Sequence, residues 1–317
     1  MSTIDASIAP TPTGAAARLA AAHSAPNQPL TLYGSWFCPF VQRVWIVLCE
    51  KDRSRRRHGA GDAAAAAPAY QYVEINPYKK EKEFLALNPR GLVPTVVVEL
   101  GREKRVLYES AVVCEWLDER YPGTGDEEEE DGGSLLPAGD GEREVFERAR
   151  CRLWMNHVST RIVPAFYRLL QWTADDSESG AGGKGETIEE ARQQFLASIK
   201  AFAREMLESD AGKSGGPWFL GGRFSLVDVM LAPWAKRLFL IDHYKPGGVG
   251  IPVKGQRGED EEVWARWDQW YEAVVERDSV KATWSDDDKY IEVYKRYADN
   301  TTQSEVAQAT RKGRGLP

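Results

Sequence analysis

Between Leu30 and Arg120 the hydrophobic pattern alternates between strand and helix periodicity in a set order: strand, helix, strand, helix, strand, strand, helix. Few folds accommodate that order. Strands are predicted at Leu30 to Gly34, Tyr70 to Ile75, Pro94 to Leu100 and Arg105 to Tyr108, and helices at about 39–51, 79–87 and 110–120. Between the first helix and the second strand, Arg53 to Ala69 carries an Arg cluster, an alanine run and Pro68, the composition of an exposed insertion with solvated charges.

From Tyr121 to Gly141 the chain is rich in Gly, Pro and acid, unbroken from Asp126 to Asp131, and reads as a solvated, self-repelling tether. Helical periodicity follows, with candidates at about 142–172, 186–209, 226–243, 260–277 and 286–299, separated by Gly-rich breaks. Within the fourth of these, Val263, Trp267, Trp270 and Val274 share one face. Ser225 and Asp228 have the spacing of a capping box, and Phe224 and Val229 that of a hydrophobic staple, so Asp228 is read as structural rather than catalytic. Pro233 should bend the helix that follows. The order of elements fits a thioredoxin-like α/β unit at 30–122 and an all-α helical domain at 142–300, joined by the linker at 123–141. Residues 1–29 are expected to be a disordered lead. Residues 301–317 form a tail that either covers a cleft or trails away.

A length of 317 residues suits two domains, and a net charge of -7 speaks against nucleic acid or an anionic membrane as partner. No run is apolar and long enough to span a bilayer. The lead has no continuous apolar signal core, and an organelle-targeting reading is the lesser alternative to the cytoplasm. Eleven tryptophans imply heavy aromatic packing. The four cysteines, Cys38, Cys49, Cys114 and Cys151, have neither disulfide nor metal-ligand spacing, so a reducing compartment and no metal are expected.

Cys38 lies where the first strand gives way to the first helix, with Pro39 at the opening helical position. Unpaired N–H groups and the helix dipole at that point favour a thiolate, while an inert, buried thiol is the equal alternative. Val41 stands where a dithiol motif would place its second cysteine, which disfavours dithiol chemistry. Pro94 opens the third strand, where a missing N–H costs nothing; a cis Val93–Pro94 bond would turn Val93 outward, although trans is the commoner isomer. Glu109 and Ser110 precede the run Val112, Val113, Trp116, Leu117. Ser110 is an ordinary cap or part of an anion site, and with Glu109 beside it the pair would suit an amino-acid head group.

The run Phe37 to Arg43, the segment Asn88 to Pro94, the triplet Tyr108 to Ser110, the stretch Glu115 to Pro122 and the Ser225 to Asp228 cap together resemble the glutathione transferase superfamily. Phe37-Cys38-Pro39-Phe40 is similar to the omega class, with cysteine-containing fungal enzymes nearest. The resemblance implies that Cys38 forms a mixed disulfide with glutathione, the co-substrate. It also implies that Val93 pairs with the cysteinyl backbone, that Glu109 and Ser110 hold the γ-glutamyl head, that Lys80 lies near the glycyl carboxylate and that Phe40 lines the same site. A homodimer is implied as well. Candidates for a second-substrate pocket, taking a small hydrophobic or thiol-adduct molecule, are Trp154, His157, Phe166, Tyr167 and Trp234, each of which core packing would equally explain. The function implied is a glutathione-dependent thiol transferase or reductase. The alternatives are conjugation of electrophiles using Ser35 and, in another class, a non-catalytic interaction module.

Overall fold

Four short strands form one mixed sheet in the order β2-β1-β3-β4. They are β1 (Leu30–Gly34), β2 (Tyr70–Glu74), β3 (Thr95–Leu100) and β4 (Glu103–Tyr108). β1 pairs parallel with β2 and antiparallel with β3, and β4 closes a hairpin on β3. A parallel pair needs a crossover, and α2 (Pro39–His58) lies in it. The computed structural model describes residues 10–58, 69–122, 133–174, 186–209 and 215–316. α3 (Lys82–Leu87) leads into β3, and α4 (Ser110–Arg120) packs on α2. The result is a thioredoxin-like domain. Its core holds Trp45 stacked on Tyr72 at 4.4 Å, with the indole N–H donating to the Tyr70 hydroxyl at 3.0 Å.

The second domain is helical: α5 (Glu142–His157), α6 (Val163–Gln171), α7 (Ile188–Glu208), α8 (Leu226–Ala235), α9 (Leu238–Tyr244), α10 (Glu261–Glu276), α11 (Asp278–Ala282) and α12 (Asp287–Ala298). One turn of π-helix, Val158–Ile162, joins α5 to α6 where a single helix is predicted. Pro164 has no N–H for the carbonyl of Thr160, and the wider turn absorbs the mismatch. Pro233 likewise precedes the break between α8 and α9 at Lys236 and Arg237.

α2 is the shared wall of the two domains. Its Arg43 donates to the Met230 carbonyl at 3.0 Å, its Gln42 to the Thr283 hydroxyl at 3.1 Å, and its Glu50 accepts two bonds of 2.7 Å from Arg277. All of these side chains on α2 are buried.

Three expectations about connecting segments need correction. Residues 14–22 of the lead form α1 (Gly14–Ala22), not a disordered arm. Ala16 is fully buried, its N–H bonds the Trp284 carbonyl at 3.0 Å, and His23 just beyond stacks on Tyr70 at 3.8 Å. Alanines permit that close approach, and the same small side chains hide the helix from a hydrophobicity reading. Second, Arg53 to His58 continue α2 instead of opening an insertion; residues 59–68 lie outside the described residues. Third, the end of the acidic linker is anchored. Asp118 accepts from the Leu135 N–H at 2.7 Å, the Leu136 N–H at 3.0 Å, the Ser134 hydroxyl at 3.0 Å and Lys51 Nζ at 2.6 Å, and both leucines are buried. The acidic run itself falls within 123–132, outside the described residues.

Candidate functional site

Cys38 caps the floor of a cleft of about 640 Å³ between the two domains. The turn that carries it closes with a bond from the Cys38 N–H to the Ser35 carbonyl at 2.9 Å, and α2 then starts at Pro39. The thiol is half-buried, and its Sγ–H points at the Val93 carbonyl at 3.8 Å. Burial pushes the thiol up from its ordinary pKa, against the opposing pull of the Val41 and Phe40 N–H groups and the charges of Arg237 and Arg43. That direction is opposite to the thiolate expected from the helix start. A local reading sees the dipole but not the desolvation that the second domain imposes.

The Val93–Pro94 bond is cis, where base frequency favoured trans. Asn88 fixes the loop before it: its side-chain amide donates to the Leu92 carbonyl at 3.1 Å and the Thr95 hydroxyl at 3.0 Å, and its carbonyl accepts from the Arg90 N–H at 3.1 Å. Gly91 has φ of +63°, and a Cβ there would lie 2.6 Å from the Lys80 side chain. Lys80 therefore crosses the loop on the cleft side, where it helps line the cavity. Glu109 has φ of +68°, rare for a residue with a side chain, and acts as the N-cap position of α4, so Ser110 is the first helical residue and not the cap. Ser110 Oγ accepts from Arg43 Nη1 at 3.2 Å, and Glu109 pairs with Arg90.

The cleft thus gathers Cys38, Phe40, Lys80, Val93, Glu109 and Ser110. Of the second-substrate candidates, Tyr167 alone lines it. Trp154 sits among His157, Phe202 and Phe219 inside the helical domain, and His157 is held on the Ser198 carbonyl at 3.1 Å with its pKa lowered by burial. Phe166 is wholly core, packed on Phe195. Trp234 is one layer back, edge-on to Phe40 at 5.0 Å. Helical spacing told that these residues were buried, but not on which side. Ser35 is fully buried and donates to the Ile75 carbonyl at 2.8 Å, off the cleft, which removes the conjugating-serine reading.

No sequence pattern marks the far wall. Tyr294 and Tyr297 of α12 and Ser159 and Thr160 of the π turn face the cavity, as does the tail. Residues 303–306 and Leu316 line it around α13 (Glu305–Arg311), which packs on α6, so of the two courses left open for the tail the structure takes the one along the cleft.

A thioredoxin-like domain with a cis-proline loop, backed by an all-helical domain, is the architecture of the glutathione transferases. The family model for the glutathione S-transferase N-terminal domain matches residues 32–125 and that for the C-terminal domain residues 185–273. Glutathione S-transferase omega-1 of Sus scrofa is 30% identical over 230 residues, covering 71% of this chain and 76% of its own. A crystal structure of glutathione transferase Omega 3C from Trametes versicolor is 35% identical with a TM-score of 0.65, covering 92% of this chain and all of that one. A Stringent starvation protein A homolog of Coxiella burnetii is 27% identical over 83% of this chain and 94% of its own. The chain belongs to the glutathione S-transferase family, with omega-class members among its relatives.

Proposed function

We propose that the protein is a glutathione-dependent thiol transferase in which Cys38 carries the glutathionyl group. The observation that supports this reading most is the placement of a half-buried thiol 3.8 Å from the Val93 carbonyl, in the same cleft as Glu109 and Ser110. Glutathione is itself an extended peptide: its cysteinyl backbone would lie on Val93, its γ-glutamyl head at Glu109 and Ser110, and its glycyl carboxylate toward Lys80. The Cys38 thiolate attacks the glutathione sulfur of a mixed disulfide, the S–S bond breaks, and the partner leaves as a thiolate. A second glutathione thiolate then attacks the Cys38–glutathione disulfide, releasing oxidised glutathione and restoring Cys38. Val41 in place of a second cysteine fits a monothiol cycle of this kind. The chemistry requires a reducing compartment, the cytoplasm being the natural one. The second substrate would be a small hydrophobic or thiol-adduct molecule seated against Tyr167, Tyr294 and Tyr297. The test is Cys38→Ser: transfer from a glutathione mixed disulfide should fall at least a hundredfold with folding intact, and full retention of transfer would refute the mechanism.

A second reading, a glutathione-transferase fold acting as a binding module, draws on two observations: burial raises the Cys38 thiol, and the Coxiella relative bears a name that is not that of a transferase. Wild-type protein that binds glutathione yet leaves mixed disulfides untouched would favour it.

A further inference from the structure

Arg237 is fully buried, and each of its side-chain contacts is to a neutral group. Nη1 donates to Gln42 Oε1 and to the Pro233 carbonyl, both at 2.6 Å; Nε donates to the Tyr294 hydroxyl at 3.0 Å; Nη2 donates to the Phe37 carbonyl at 3.2 Å. The rings of Trp284 and Tyr290 lie 4.9 and 4.8 Å from the guanidinium carbon. Among the described residues no carboxylate pairs with it. Two other buried cations have carboxylate partners, Lys51 with Asp118 and Arg277 with Glu50, whereas Arg43, like Arg237, meets neutral acceptors. A buried positive charge held by dipoles alone remains available to an anion formed nearby.

An anion that this charge reaches is the Cys38 thiolate. The Phe37 carbonyl belongs to the peptide that leads directly into Cys38, and it accepts from Tyr294 Oη at 3.2 Å as well as from Arg237. Two donors from the helical domain therefore fix the plane of the peptide from which the sulfur hangs. The charged groups facing the sulfur are Arg237 and, from α2, Arg43, whose donors reach Met230, Ser110 and Ser159. The titratable neighbours are Tyr72, Tyr167 and Tyr294, phenols that burial holds above their ordinary pKa and therefore neutral.

We propose that Arg237 is a positioning residue for Cys38: from the helical domain it fixes the Phe37–Cys38 peptide and supplies an uncompensated positive charge that stabilises the thiolate. The inference rests on Cys38 as the reacting atom, but not on glutathione as its partner. The two are separable because the test uses iodoacetamide, whose carbon accepts the sulfur electron pair as iodide leaves. The rate of Cys38 alkylation is measured against pH, with the modified peptide resolved from Cys49 by mass spectrometry and folding followed by circular dichroism.

Arg237→Met should raise the midpoint by about one pH unit and slow alkylation at pH 7 about tenfold, with the rate at high pH unchanged. Arg237→Lys, which keeps the charge, should recover most of that loss. Gln42→Glu leaves Arg237 in place and sets a carboxylate against Nη1; it should raise the midpoint in the same direction. A folded Arg237→Met protein whose pH profile superimposes on wild type would overturn the proposal. Should that variant fail to fold, Gln42→Glu decides alone: a raised midpoint supports the proposal and an unmoved one overturns it.

Discussion

Glu74, at the end of β2, shows how one residue ties the stability of the domain to pH. Its carboxylate accepts from the Trp36 N–H at 3.0 Å and the Tyr72 hydroxyl at 2.6 Å, yet burial outweighs the donors around it and raises its pKa to about 7. The folded protein therefore holds this proton more tightly than the unfolded chain, in which a glutamate titrates near about 4.3. The stabilising contribution is complete below that value and is lost as pH rises through about 7. Between pH 5 and pH 8 wild type should lose roughly 2–3 kcal/mol relative to Glu74→Gln, measured as the difference between their urea unfolding curves. Parallel curves at both pH values would show that Glu74 titrates normally. Cys38, Val93, Glu109 and Ser110 were legible because each sits at a junction that local pattern marks, a strand end or a helix start. Arg237 and Tyr294 were not, since they meet the Phe37 carbonyl across 200 and 257 residues of chain, and no local pattern reports such a contact.

Among the elements, the start of α8 is the clearest case of sequence chemistry becoming architecture. Asp228 is fully buried and accepts from the Ser225 N–H at 2.8 Å, the Ser225 hydroxyl at 2.7 Å, the Phe219 N–H at 2.9 Å and the Trp270 indole at 2.8 Å. The capping box was readable from spacing, but the bonds to Phe219 and Trp270 were not, and they turn a local cap into a junction of α8, α10 and the loop before them. Asp228→Ala would strand several buried donors at once, and an unmade buried bond costs about 1–3 kcal/mol. A loss of roughly 3–5 kcal/mol in unfolding free energy is expected. Cys38 alkylation per folded molecule should not change, because Asp228 takes no part in the cleft. Elements missed in the sequence share a cause. α1 and α13 are short, and their alanines and polar residues carry no periodic apolar stripe, so tertiary contacts with Trp284 and α6 hold them rather than propensity.

At the scale of the molecule, several large apolar side chains remain exposed after both domains are packed. Tyr108 of β4, Val112 of α4, and Val145, Phe146 and Leu153 of α5 are all exposed, with Phe146 and Leu153 at 66% and 68%. Phe146 and Leu153 lie seven residues apart, hence on one face of α5, and the Arg152–Glu115 pair at 2.9 Å ties that helix to α4 beside them. Neither domain's core needs these side chains. The homodimer that the family resemblance implies is expected to close on this face, since a patch carrying both its apolar stripe and its own pair of opposite charges can complement itself about a twofold axis. A stable interface of this kind buries on the order of 800 Å² on each partner, so a charge at its centre should break it. In sedimentation velocity at micromolar concentration, wild type should run as a dimer and a Phe146→Glu, Leu153→Glu protein as a monomer. The variant should keep its wild-type circular dichroism and its rate of Cys38 alkylation, because the cleft is built within one chain. Wild type sedimenting as a monomer at that concentration would refute the assembly while leaving the chemistry at Cys38 untouched.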